Sequence, residues 1–145
     1  MRVLSLITGV LLLVGAIMAQ DSETVQPVGN MSDLMVSMIY PAANEILTFA
    51  NRAPADDKEW VALQRSAVRL GESGNLLMMR GHALNQGDWM KDAKLLVDVG
   101  AAAYKAAKAK DANALAALND QINASCTTCH KQYRPNVFPK DGGSK

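Results

Sequence analysis

Histidine and cysteine are scarce in this sequence, with two of each among 145 residues. Aromatic side chains are few as well, seven in all, so any core must come mainly from Leu, Met and Ala. There is no glycine-rich phosphate loop of the P-loop kind and no serine nucleophile motif. Only His82 lies outside the cysteine cluster, which excludes a catalytic Cys/His pair. An enzyme is not expected. Charge of one sign is also missing: with Arg2 set aside as part of an apolar leader, 14 basic residues face 14 acidic ones. That balance argues against nucleic acid as a partner and against strong attraction to anionic lipid. No stretch alternates apolar and polar residues as a strand would.

What is present begins with a leader. Met1-Arg2 is a short positive start, Val3 to Met18 is nearly all apolar, and Ala19 precedes the polar run Gln20-Asp21-Ser22-Glu23. The pattern predicts a secretory signal peptide over residues 1–19, export to the periplasm, and no membrane attachment after cleavage. Ile17 stands where a small residue is preferred, and the apolar run is just long enough to span a bilayer. An uncleaved anchor is therefore the alternative. No cysteine follows the run, so a lipoprotein anchor is not expected there. Residues 20–30, with Pro27 and Gly29, read as a disordered lead-in.

Four helical repeats follow over residues 31–134. Met31, Leu34, Met35, Met38, Ala42, Ile46 and Phe49 recur at three- and four-residue steps, with Asn30 or Ser32 as the cap. Pro41 falls inside this stripe and predicts a kink rather than an end. After a link over residues 52–57, Asp56 or Asp57 caps a second helix carrying Trp60, Leu63, Ala67, Leu70, Gly74, Leu77 and Met78. Gly71 and Gly74 invite close approach, either by a neighbouring helix or by a flat cofactor. A loop over residues 80–88 leads to a third helix capped by Asp88, with Trp89, Ala93, Leu96, Val97, Gly100, Ala103, Tyr104 and Ala107 in its stripe. Asp111 caps a fourth, bearing Leu115, Leu118 and Ile122, which Pro135 stops after Arg134. Residues 135–145 form a frayed tail. Four helices with short links predict an all-α fold, an antiparallel up-down-up-down four-helix bundle.

The fourth helix carries the one motif with chemistry, Cys126-Thr127-Thr128-Cys129-His130. C-x-x-C-H is the attachment signature of c-type haem. Two thiols add across the two vinyl groups of one porphyrin, and the next residue sets an imidazole on the iron. On a helix, Cys126 and Cys129 occupy neighbouring parts of one face. A redox dithiol would open a helix within a βαβ unit, and zinc would need about four ligands, for which His82 is isolated in sequence. One covalent haem c per chain is therefore expected, with His130 as proximal ligand. In an alternating bundle it would lie at the end where helix four meets the start of helix one and the loop after helix two. That end gathers Met31 and Met35, then Met78, Met79 and Arg80, and His82 from the loop. Met35 is the leading candidate for a distal iron ligand, which would raise the potential and suit electron transfer. His82 is a rival ligand or simply a solvated loop residue, and Arg80 could pair with a propionate. Tyr133 and Arg134, one turn beyond His130, are candidates to pack on the macrocycle and over its proximal face.

The late C-x-x-C-H with Tyr133-Arg134 behind it, on the last of four helices after a signal peptide, resembles the class II c-type cytochromes, the cytochrome c′ family. The resemblance covers about residues 31–134. It implies an antiparallel four-helix bundle with one covalent haem on Cys126, Cys129 and His130, and it makes a homodimer plausible. Members of that family divide between five-coordinate proteins and six-coordinate ones closed by a helix-one methionine, here placed at Met35. Met31 stands where the family often shows a basic residue near a propionate. Expected functions are a periplasmic electron carrier working with redox partner proteins, or a five-coordinate protein that binds nitric oxide or carbon monoxide. A haem-free dithiol oxidoreductase is the third reading.

Overall fold

The computed structural model describes residues 26–136. The expected leader, the first half of the lead-in and the end of the tail lie outside the described residues. Among the described residues, all regular structure is helical. Four helical rods follow one another. The first is α1 (Met31–Leu34), a π-helical turn (Met35–Ile39) and α2 (Tyr40–Asn51); the second is α3 (Asp57–Met78). The third is α4 (Asp88–Ala109), and the fourth is α5 (Ala112–Ala116) followed by α6 (Asn119–Tyr133).

Three of the caps are those the sequence suggests. Asn30 accepts from the backbone of Ser32 and Asp33 while the Asp33 carboxylate accepts from Asn30 N–H, a reciprocal capping box. Asp56 accepts from Glu59 N–H at 2.8 Å, and Asp111 from Ala114 N–H at 2.9 Å. The third helix differs. Asp88 is already its first residue, and Asn85 Oδ1 accepts from Gly87 and Trp89 N–H instead. Asn85 sits in the loop, where its short side chain can turn back onto those donors.

Pro41 neither ends the first rod nor leaves it regular. Lacking an N–H, it cannot close an α-helical turn. The π turn lies just before it, with Tyr40 N–H donating to the Met35 carbonyl five residues back. The extra residue in that turn rotates the stripe. Leu34, Ile39, Ala42, Ala43, Ile46 and Phe49 are buried, whereas Met35 and Met38 are half-buried. The fourth rod is also not continuous, because it breaks at Ala117–Leu118 with Leu118 N–H donating to the Leu115 carbonyl. Leu115, Leu118 and Ile122 stay buried across the break.

Contacts link α2 with α3, α3 with α4, α4 with α6, and α2 with α5 and α6. Each rod thus touches two others, a ring compatible with a helical bundle. The tightest seam joins α3 and α4. Gln64 reaches the Ala107 carbonyl, Gly71 meets Gly100, and Trp89 Nε1 donates to the Leu77 carbonyl at 2.7 Å. A Cβ on Gly74 would lie 2.9 Å from the Ala93 carbonyl. The glycines of the second rod therefore make room for a neighbouring helix. The lead-in is irregular from residue 26 to 30 but anchored: Pro27 lies over Gly81, and the Gly29 carbonyl faces His82 Nε2 at 3.2 Å.

Candidate functional site

A cleft of about 440 Å³ opens between the first rod and α6. Met35, Val36, Ile39, Tyr40, Ala43 and Leu47 line it from one side, with Ser32 and Asn44. Cys126, Cys129, His130 and Arg134 line it from the other, with Asn123 and Ser125. Leu77 of α3, and Asp92 and Leu96 of α4, complete the lining. Most of these side chains are apolar, and the size is that of a small-molecule or cofactor pocket.

The helix explains why the motif faces the cleft as a unit. Positions 126, 129 and 130 are i, i+3 and i+4, one face of α6. Ile122 and Ser125, one turn earlier, are buried and fix that face inward; Ser125 donates to the Ile122 carbonyl at 2.8 Å. Lys131 and Gln132 are exposed on the other side.

The local chemistry is that of poor nucleophiles. Burial pushes the Cys126 thiol up, opposed by the Ser125 hydroxyl. Cys129 is pushed up to about 11, first by burial and then by the negative charges of Asp92 and Cys126. The motif also lies in the last turns of α6, at the negative end of the helix dipole, where a thiolate is disfavoured. A redox dithiol needs the opposite, a lowered thiol at a helix N-terminus. His130 is held below the usual histidine range by burial and by the positive charge of Arg134. At neutral pH its imidazole is therefore uncharged and has a lone pair to give. Among the described residues, no three His, Cys, Asp or Glu side chains group as a metal-ion site.

Of the candidates beyond the motif, Met35 and Arg134 line the cleft. Tyr133 is not in the lining. Its ring meets Trp89 edge-on at 4.8 Å and its hydroxyl accepts from Asn85 at 2.9 Å, tying the end of α6 to the loop before α4. Met31, Met38, Met79 and Arg80 lie outside the lining too, and Met78 belongs to a separate shallow groove with Met90. His82 is neither a cleft residue nor solvated. It is buried, with Nδ1 at 3.0 Å from the Leu76 carbonyl and Nε2 facing Gly29. Helix two thus reaches the cleft through Leu77 rather than through Met78, Met79 or Arg80, and the loop meets the end of α6 through Asn85 rather than His82.

Sequence reading missed Asp92. It is 7 % exposed, and its Oδ2 has no hydrogen-bond partner. Burial, then the neighbouring Asp88, pushes its carboxyl above the usual range, with Lys91 opposing. The signal was available: Asp92 stands three residues after Trp89 and four before Leu96, a charge inside an apolar stripe. Comparison with known proteins finds no matching family model, no matching curated protein and no matching solved structure.

Proposed function

We propose that the chain is a periplasmic mono-haem c-type cytochrome, an electron carrier with one haem c covalently bound. One observation carries this reading. Both thiols and the imidazole of C-x-x-C-H line a single, mostly apolar cleft, the lining a flat hydrophobic macrocycle requires. Haem, when bound, supplies a one-electron iron couple. The rest falls to the chain. Cys126 Sγ and Cys129 Sγ would each add to a vinyl group of the haem, the thiol hydrogen going to the neighbouring vinyl carbon. The neutral His130 imidazole would hold the iron, Met35 on the facing rod would offer its sulfur, and Arg134 would supply a positive charge beside the group. The finer architecture in this reading is the antiparallel up-down-up-down bundle, supported by the short links and by the α3–α4 seam, along which residue numbers rise on one helix and fall on the other. Redox partner proteins exchange the electron in the periplasm. Among the described residues, no helix is long and apolar enough to cross a membrane.

The visible spectrum of the periplasmically matured protein tests this. Ferric and reduced forms should show a Soret band, with sharp low-spin bands on reduction that carbon monoxide barely perturbs. Met35→Ala should turn those bands broad and high-spin and admit carbon monoxide. An unchanged spectrum in that variant would remove Met35 from the iron. Broad bands and rapid carbon monoxide binding in the unaltered protein would favour gas binding instead, behind the apolar wall of Ile39 and Leu47. A colourless product would end the haem reading.

A further inference from the structure

The buried carboxyl of Asp92 lies in the cleft, and electron transfer alone leaves it without a task. We propose that Asp92 is a redox-linked proton site: Oδ2 takes up a proton from solvent when the haem gains an electron, and releases it when the electron leaves. The inference rests on the haem reading above. Its balance is simple. One electron from a donor protein and one proton from water enter together, and the carboxylate becomes a carboxylic acid.

Asp92 reaches the cleft from α4, is 7 % exposed, and lies close enough to Cys129 to raise its thiol. Oδ2 has no hydrogen bond that would hold it as an anion. A buried carboxylate in that position interacts with the charge on the iron through a medium of low dielectric. Oxidised iron carries one more positive charge and favours the anion, whereas reduced iron favours the neutral acid. The affinity of Asp92 for a proton must therefore rise on reduction, and by linkage the potential must fall as pH rises between the two titrations.

The surroundings leave this carboxyl as the group to watch. On its own helix, Asp88 and Lys91 are exposed and paired with each other at 3.2 Å. From α6 the cleft receives Cys126, Cys129, His130 and Arg134. In the haem-bound protein the two cysteines would be consumed by thioether formation and the imidazole would be held by iron, while Arg134 contributes positive charge. From the first rod the titratable group is Tyr40, 70 % exposed, and α3 contributes Leu77, which does not titrate. The window lies above the ordinary aspartate range, since burial raises Asp92.

The experiment is the haem potential of the matured protein against pH, for the unaltered chain and for Asp92→Asn and Asp92→Glu. In the unaltered protein the equilibrium should fall about tenfold, 59 mV, per pH unit within the window. Asp92→Asn should flatten that slope and Asp92→Glu should restore it at a displaced pH. A slope unchanged in Asp92→Asn would assign the coupling to the propionates and overturn the proposal while leaving the haem in place. A flat profile in the unaltered protein would overturn it outright. Should the variants fail to mature, reduced-minus-oxidised infrared spectra of the unaltered protein decide. A protonated-carboxyl stretch that appears on reduction and shifts with isotope-labelled aspartate is required, and its absence counts against Asp92. A colourless unaltered protein removes the haem reading and this inference together.

Discussion

Replacing Cys126 and Cys129 together by alanine should abolish covalent haem attachment altogether. Cells that mature c-type cytochromes should yield an unaltered protein whose colour stays with the chain through acid–acetone extraction and denaturing electrophoresis. The double variant should leave no haem on the polypeptide. The effect would be all-or-none because each proposed thioether would be a covalent bond, and nothing in an apolar cleft survives denaturation in its place. Single variants keep one bond and should retain colour at reduced yield. The same experiment separates the dithiol reading. A thiol at about 11, as burial sets Cys129, is almost wholly protonated at neutral pH and a slow nucleophile towards disulfides. Colour that extracts into solvent from the unaltered protein would sink covalent attachment. Rapid reaction of both thiols with a disulfide reagent in a colourless protein would put the dithiol in its place.

The helices were legible because their information is local. Apolar residues three and four apart mark each rod, and Asn30, Asp56 and Asp111 cap helices by hydrogen bonds within three residues. Phase was lost where one residue broke the period. Pro41 is visible in the sequence, but its remedy, an inserted π-helical residue, is not, and so Ile39 rather than Met38 faces the core. The Asp88 cap failed for a similar reason, since Asn85 reaches the same donors from inside the loop.

The candidate site divides along the same line. Cys126, Cys129 and His130 share a helix face by spacing alone, and Met35 falls on the facing rod. Leu77, Asp92 and Leu96 belong to other rods, and their convergence depends on how the bundle closes sideways. Alternating topology predicts that the end of α3 and the loop after it meet the motif, and Leu77 does line the cleft there, but Met78, Met79, Arg80 and His82 do not. His82 is instead committed to two backbone carbonyls, one of them in the lead-in. Sequence spacing locates reactive groups on one helix; it does not say between which helices they point.

The second large effect concerns the α3–α4 seam and needs no cofactor. Gly100→Ala should destabilise the protein, whereas Gly71→Ala, at the same crossing, should be neutral or stabilising. In an isolated helix both changes would gain about 1 kcal/mol, because alanine favours the helix over glycine. Packing reverses one of them. A Cβ on Gly100 would lie 2.5 Å from Gly71 N, 2.6 Å from Gly71 Cα and 3.1 Å from the Ala67 carbonyl. All three are backbone atoms, so relief requires the helices to move apart, straining the Trp89–Leu77 hydrogen bond along the seam. Overpacking of this kind costs about 1–3 kcal/mol, sometimes more, and the absence of a yielding side chain puts Gly100 at the upper end. A Cβ on Gly71 points elsewhere, its nearest neighbour being Gly100 Cα at 3.7 Å, an ordinary contact. A net loss of about 2 kcal/mol corresponds to a fall in Tm of roughly 8 °C or more for a domain of about this size. Thermal melts of both variants in the same haem state give the comparison. Equal damage from the two would mean the helices do not cross as closely, or at the same residues, as described. A Gly100→Ala protein as stable as the original would show that the seam has room for a methyl group, and the close glycine contact would have to be abandoned.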